Sequence, residues 1–372
     1  MGCGSRTAGV WVGFVRRSAV AVVTAVVLAV VAAPGHALAG PRCSLRSTGA
    51  PCVRLAAAPS PAAPGPAASP WLDEGGSPRG FTPVVEGGPP DRRWQSLAAV
   101  GGLYVGFSTW AYFAWYHGAE SLGEFEYGDK DGYFGKNTYA GGADKLGHAW
   151  ANMVLGRGGS RVLRWGGWSP TTAAIVGNAL SLTLFTFVEV KDGYYYKFSY
   201  GDMYANAAGA LLGAALELSP TLDRLIDFRV AYWPSPEYLG LWRGEYHGTK
   251  AGNSLNIAED YSGQTYFLGL HLGALPLPRD HVAWRALELF DVGVMFATRQ
   301  YKPDAPPDTI ARQYLSLGVA LDLQRLADRY LGGRASTGRK IAHGMLEVLS
   351  PPYTMLPVAT GKRSADGPVG EQ

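Results

Sequence analysis

Cysteine is scarce in this chain, with three among 372 residues. Cys3 lies in the N-terminal segment, whereas Cys43 and Cys52 could close a small disulfide loop in an oxidising compartment. Such a loop would lie in a linker and would hold no core together. Structural zinc sites use four protein ligands, so this pair alone does not suffice for one.

Several motifs of enzymes and nucleic-acid-binding proteins are also missing from the sequence. It has no Gly-x-Ser-x-Gly nucleophile motif, no glycine-rich phosphate-binding loop and no lipid-phosphatase signature. The formal charge of +3 is misleading, because residues 1–39 contain Arg6, Arg16 and Arg17 and no acid. The remaining chain is neutral and gives no support for nucleic-acid binding, which requires a concentrated basic surface.

Residues 1–39 have the features of an export signal. Two arginines precede an apolar run at 19–33, and Ala37-Leu38-Ala39 provides a small-x-small cleavage site. An uncleaved anchor helix is the alternative, although the run is short for the roughly 20 residues that cross a bilayer. No cysteine occupies a lipobox position after the apolar run, so the sequence does not predict a lipid anchor.

The remaining chain predicts an α+β fold. A segment rich in proline, alanine and glycine, at 40–92, cannot offset its ordering entropy and predicts a disordered linker. We expect a helical bundle of about four largely apolar helices at 93–220, a small antiparallel β-rich region at 221–330, and a C-terminal helical segment and tail at 331–372. The first helix, at 94–117, has no charge and is either a membrane span or a buried core helix.

The second predicted helix begins at Asp144. His148 and Asn152 follow at four-residue intervals, which places the three side chains on one face. We expect this helix to end at the glycines that begin with Gly156. Three arginines come next, and they lie either against lipid headgroups or in a solvated turn. They are Arg157, Arg161 and Arg164.

The third and fourth predicted helices also carry their polar residues on single faces. A turn of 100° per residue aligns five positions of the third helix, which begins after Ser169 and runs to about Lys191. These positions are Asn178, Ser181, Phe185, Glu189 and Asp192. The fourth helix opens with a capping box at 199–202 and repeats four positions on one face. These are Asp202, Asn206, Gly209 and Gly213.

After Pro220 the apolar period changes from 3.6 to 2. Alternating apolar residues at 226–232, 266–272, 290–296 and 315–323 predict about four strands with one apolar face. Two short helices are expected in the C-terminal part of the chain.

The polar motifs resemble those of an uncharacterised bacterial family, the predicted periplasmic lipoproteins of domain of unknown function 2279. The resemblance covers about residues 95–235. It rests on the stretch 134–148, on Glu189 with Asp192, and on Asp202 with Asn206 and Gly209. The same order of polar residues is more loosely similar to VanZ-like membrane proteins. The resemblance implies a periplasmic location, but neither family implies an established reaction.

Two interpretations of these polar residues remain open. In the first, Asp144, His148, Glu189 and Asp202 bind a divalent metal such as zinc or manganese, and His148 and Glu189 act as general acid or base. In the second, the same groups form a structural network that fixes helix register. The network would also include Lys145, Asn178, Asp192 and Asn206.

Together these features predict an exported, membrane-associated protein of the periplasm or cell envelope. A structural or binding role is expected, with membrane lipid or an envelope component as its partner and no nucleic acid. The alternative is a metal-dependent envelope hydrolase, or a protein that processes lipid or peptidoglycan precursors. A divalent metal is the one cofactor that the residues suggest.

Overall fold

The computed structural model combines helices with one six-stranded sheet, which confirms the predicted α+β class. The export signal and nearly all of the linker predicted at 1–92 lie outside the residues that the structure describes. The described residues are 92–128, 133–244, 256–275, 282–303, 309–330 and 337–367 of the 372-residue chain.

Four long helices form the N-terminal part of the described chain. They are α1 (Arg93–Ala111, continued by a π-helical turn at Tyr112–Tyr116), α2 (Ala143–Trp165), α3 (Pro170–Tyr195) and α4 (Tyr200–Leu218). Helix α2 packs against both α3 and α4, and α1 packs against α2. The cap of α3 is Ser169, whose side chain accepts a hydrogen bond from the Thr172 amide, and Ser199 caps α4 in the same way.

Helix α2 is longer than the sequence predicts, because it continues through the glycines and ends at Trp165. The prediction of an end near Gly156 was therefore wrong. Gly156 lies against the Asn178 side chain, and Gly159 lies against Gly177 on α3. A Cβ atom at position 156 would collide with Asn178. Here the glycines allow two helices to approach closely rather than terminating one of them.

The sheet follows the helices in the chain. Its strands are β1 (Ile226–Tyr232), β2 (Gln264–His271), β3 (Phe290–Arg299), β4 (Arg312–Leu321), β5 (Leu349–Ser350) and β6 (Met355–Ser364), in the spatial order β5-β1-β2-β3-β4-β6. All neighbours pair antiparallel except β1 and β5, which pair in parallel. The shorter helices are α5 (Pro220–Leu225), α6 (Pro236–Arg243), α7 (Val282–Leu287), α8 (Leu323–Tyr330) and α9 (Thr337–Val348).

Strand β6 is a departure from the predicted C-terminal helical segment and tail at 331–372. Helix α9 agrees with that prediction, but β6 adds a strand beside β4. The sequence hides this strand because Pro357 and Gly361 interrupt its alternation. Strand β6 lies at the end of the strand order, and an edge strand tolerates proline because one side of its backbone is unpaired.

The main apolar core lies between the helices and the first strands. Met153 of α2 and Leu216 of α4 pack there against Phe228, Val230 and Tyr266 of the sheet. Burial of each such side chain contributes about 1.5–3 kcal/mol of stability. This core joins α2 and α4 to the sheet, while α2 also packs against α3.

Candidate functional site

Three of the predicted metal ligands converge where α2, α3 and α4 meet. His148 Nδ1 lies 3.3 Å from Glu189 Oε1, and His148 Nε2 lies 3.9 Å from Asp202 Oδ1. One nitrogen or oxygen atom from each of the three residues lies within 4.8 Å of the other two. The Glu189 side chain is buried, whereas His148 keeps 20% of its side-chain surface exposed. The site is therefore partly open to solvent.

Short connections and helix geometry bring these side chains together. Glu189 lies on the last turns of α3, and Asp202 lies on the first turn of α4, after the short link at 196–199. His148 lies near the N-terminus of α2. The partial positive charge at the N-terminus of α4 favours the Asp202 carboxylate at this position.

Asn206 connects the three helices and orients His148. Its side-chain nitrogen donates to Glu189 Oε1 at 3.0 Å, and its oxygen accepts from Asn152 Nδ2 at 2.8 Å. The same oxygen lies 3.1 Å from His148 Nδ1. Since both Asn206 Oδ1 and Glu189 Oε1 are acceptors, this arrangement favours a hydrogen on Nδ1. A neutral His148 then presents the lone pair of Nε2 towards Asp202.

Lys145 separates Asp144 from the convergent group. Its ammonium lies 2.8 Å from Asp144 Oδ2 and 3.0 Å from Asp202 Oδ1, and both Lys145 and Asp144 are buried. Of the four predicted ligands, the structure thus brings His148, Glu189 and Asp202 together. Asp144 contacts Lys145, which lies between it and Asp202.

The remaining residues of the predicted network lie further from His148. The Tyr116 hydroxyl donates to Asp192 Oδ1 at 2.6 Å, which joins the end of α1 to α3. Asn178 is buried midway along α3, where its amide donates to the Ala174 carbonyl at 2.9 Å and to the Ser160 hydroxyl of α2 at 3.4 Å. These two residues therefore link helices rather than line the site.

A second buried group of charges lies at the other end of α2. The arginines expected at a lipid surface or in a solvated turn are instead enclosed by acids of α4, α5 and α9. Arg157 Nε lies 3.0 Å from Glu217 Oε1 and Arg157 Nη2 lies 2.6 Å from Glu347 Oε1, while Asp223 also pairs with Arg157. Arg161 and Arg164 pair with the same acids. The signal that could have revealed this network is Glu217, an acid directly after the apolar stretch 207–216 of α4.

A third buried group, which the sequence analysis missed, lies within the sheet. Arg229 pairs with Asp227 and Asp291, and His271 Nδ1 lies 2.7 Å from Asp291 Oδ1. Asp322 and Arg325 complete the group. Asp227 and Arg229 alternate with the apolar residues of β1, and that alternation of charge is the signal that could have revealed one charged face.

Hydrogen bonding and charge shift the ionisation of the sheet group. Burial by itself would lower the pKa of His271, but hydrogen bonds to Asp291 and Asp322 and their charges hold it well above its ordinary value. Burial raises the pKa of Asp227 to about 7, against the opposing charges of Arg229 and His271. With His271 protonated, three acids face three cations in this group.

The comparisons with known proteins identify one family. Residues 130–218 match the family model described as predicted periplasmic lipoprotein, DUF2279. This match confirms the resemblance to DUF2279, and the matched segment contains His148, Glu189 and Asp202. The description of DUF2279 supports an exported, periplasmic location, the coarser part of the predicted localisation. No curated protein and no solved structure matches the chain.

Proposed function

We propose that this chain is an exported cell-envelope protein whose helical part binds one divalent cation through His148, Glu189 and Asp202. The observation that carries the proposal is the approach of one donor atom from each of these residues to within 4.8 Å of the others. Each ligand comes from a different helix, so a bound cation would tie α2, α3 and α4 together. The proposal thus combines the metal ligation of the first interpretation of the sequence with the structural role of the second.

The charge around His148 supports a cation rather than a self-sufficient network. Among the residues that the structure describes, Glu189 and Asp202 place two carboxylates beside the same imidazole, and Lys145 pairs with Asp202. A divalent cation between the Glu189 and Asp202 carboxylates would compensate charge that burial otherwise makes costly. The sheet group around His271 brings three donors equally close, but protonated His271 and two arginines already balance its three acids.

The orientation of His148 also suits a metal. Histidine ligands commonly donate their second ring nitrogen to a carboxylate or carbonyl, which fixes the ring and raises its basicity. Asn206 Oδ1 lies at that position beside Nδ1, and Nε2 is directed towards Asp202. Histidine nitrogen with carboxylate oxygen is a donor set that suits Zn²⁺ or Mn²⁺.

Metal analysis of the purified full-length chain tests the proposal. Protein produced with added zinc or manganese and then dialysed is expected to retain about one metal ion per chain. The variants His148→Ala and Asp202→Asn are expected to lose most of it. His271→Gln is the matched control, because His271 also lies among acids yet faces two arginines, and it is expected to retain the metal. Equal metal content in all four proteins would refute the site.

A hydrolytic role is the second candidate, and the partial exposure of His148 favours it. Catalytic zinc sites commonly use three protein ligands and leave a fourth position for water. The chain offers three convergent donors and a route for solvent at His148. Hydrolysis of an activated ester by the metal-loaded wild type, and loss of this activity in Asp202→Asn, would support this role. If the wild type binds the metal fully but does not hydrolyse the ester, the hydrolytic role is refuted and only the structural role remains.

A further inference from the structure

The outer surface of α1 is apolar and little covered. Helix α1 and its π-helical turn span 24 residues, and 17% of their most apolar stretch is buried. After Arg93 this segment has no charged residue, and Val105 is 66% exposed. At 1.5 Å per residue its length of roughly 36 Å exceeds the roughly 30 Å of a bilayer core.

Helix α3 shows the same pattern on a second surface. It is 26 residues long and is the other described helix that is long and apolar enough to cross a membrane. Ile175 and Phe187 are exposed, the latter by 68%, whereas Ser181 and Glu189 face inwards and are buried. The helix therefore directs apolar side chains outwards and polar side chains into the protein, the reverse of a helix on the surface of a water-soluble protein.

Helix α2, which carries buried charged residues, is enclosed by its neighbours. Helix α2 carries Asp144, Lys145 and Arg157, all of them buried and paired with opposite charge. Ionisable residues in membrane-embedded helices face the interior of the protein and pair with one another. A soluble protein seldom exposes so continuous an apolar surface.

Amphipathic residues gather at both ends of the exposed apolar surface. At one end, the guanidinium groups of Arg92 and Arg93 lie over the rings of Trp165 and Trp168. At the other end, Lys191 lies over Tyr116 and two further tyrosines. Aromatic and basic side chains concentrate at the two interfaces of a membrane with water. The apolar zone between them extends for about 18 residues of α1, or roughly 27 Å.

We propose that α1 and α3 cross a lipid bilayer, with acyl chains against their exposed faces. The His148 site then lies near the tyrosine-rich boundary, since Glu189 and Lys191 are close together on α3. The occupant of the surface is lipid rather than a second copy, because the apolar zone has the thickness of a bilayer core and an aromatic and basic band at each boundary.

Cysteine accessibility in the full-length chain tests this proposal independently of metal binding. In a background with the three native cysteines changed to serine, Val105→Cys and Phe187→Cys place thiols on the proposed lipid-facing surface. Trp242→Cys on α6 is the matched control, because Trp242 is 71% exposed and lies outside α1 and α3. Vesicles opened by sonication are treated with a charged, water-soluble maleimide, which the bilayer core excludes.

Both helix variants are expected to react at least about tenfold more slowly than Trp242→Cys in the membrane, and at similar rates after dissolution in SDS. Alkaline carbonate is expected to leave the protein in the membrane pellet. Equal reaction rates in vesicles would overturn the proposal. Release by carbonate as a soluble oligomer with protected thiols would also overturn it, and would assign the surface to a second copy instead.

Discussion

His148 Nδ1 lies 3.3 Å from Glu189 Oε1, so the two residues predicted as general acid or base contact each other. Their contact joins α2 to α3, and Asn206 extends it to α4 through Glu189. Glu189 also has Asp202 as a neighbour, since both contact the same imidazole. Burial beside another carboxylate makes an ionised Glu189 costly unless a cation compensates it.

The variant Glu189→Gln separates the effect of the Glu189 charge on folding stability from its effect on metal binding. Glutamine keeps the acceptor for the Asn206 amide and removes the charge, so the metal-free variant should be at least as stable as the metal-free wild type. Saturating metal should stabilise the wild type by about 2.7 kcal/mol at a hundred times its Kd, and the variant much less. Thermal unfolding with and without Zn²⁺ measures both. A variant stabilised as strongly as the wild type would contradict a ligand role for Glu189.

Asn206 is expected to contribute to stability whether or not metal is present. Its side chain is fully buried and bonds to both Asn152 and Glu189, so Asn206→Ala removes the acceptor of the buried Asn152 amide nitrogen and one donor to Glu189. A loss of about 1–3 kcal/mol is expected in denaturant unfolding. Thr183→Ala, at an exposed position of α3, should change stability by less than about 0.5 kcal/mol. Equal effects of the two variants would count against the network.

The buried group around Arg157 should lose more stability from a single substitution than the network around His148. Arg157→Met removes the central cation, so buried Asp223 loses its ion pair with Arg157 and Glu217 keeps only Arg161 and Arg164. A loss of about 3–5 kcal/mol is expected, as for other broken buried pairs. Lys197→Met is the control, because its pair with Glu126 is exposed and should contribute at most about 1 kcal/mol. The free energies of unfolding of both variants are measured by chemical denaturation in the same detergent.

The sheet group predicts a loss of stability as the pH rises. The raised pKa of His271 means that its contribution is fully present below about 6.5 and is lost as the pH rises through the folded value. The pKa of Asp227, raised to about 7, acts in the same direction, because ionisation of that carboxyl in the folded state is unfavourable.

Melting temperatures between pH 6 and 10 measure this effect. The wild type should melt at progressively lower temperature over that range, and His271→Gln should show a flatter profile. The exposed-site variant His117→Gln should keep the slope of the wild type. A flat profile for the wild type would show that the charges of His271 and its partners do not couple to folding.

Local periodicity predicted much of the helical part and of the site. Four-residue spacing placed His148 correctly on the face of α2 that meets α3, and the stripe on α3 placed Glu189 towards the interior. Spacing could not predict the ion pair between Lys145 and Asp144, because the position of a flexible lysine ammonium depends on the packing around it. The sequence therefore named four ligands where the structure brings three together.

Contacts between distant segments were the least predictable part of the fold. Arg157 pairs with Glu347, and their pairing requires α9 to return to α2. Strand β6 depends on pairing with β4 and not on its own alternation. In both cases a residue gains its role from a partner far along the chain, which periodicity within one element does not encode.

X-ray absorption by the zinc-loaded full-length chain tests the cation site most directly, because it reports the ligands themselves. The account predicts one imidazole nitrogen and carboxylate oxygens at about 2.0–2.2 Å, with no sulfur. It also predicts loss of the imidazole signal in His148→Ala and its retention in His271→Gln. A spectrum that keeps the imidazole in His148→Ala, or that shows sulfur ligands from Cys43 and Cys52, would contradict the account.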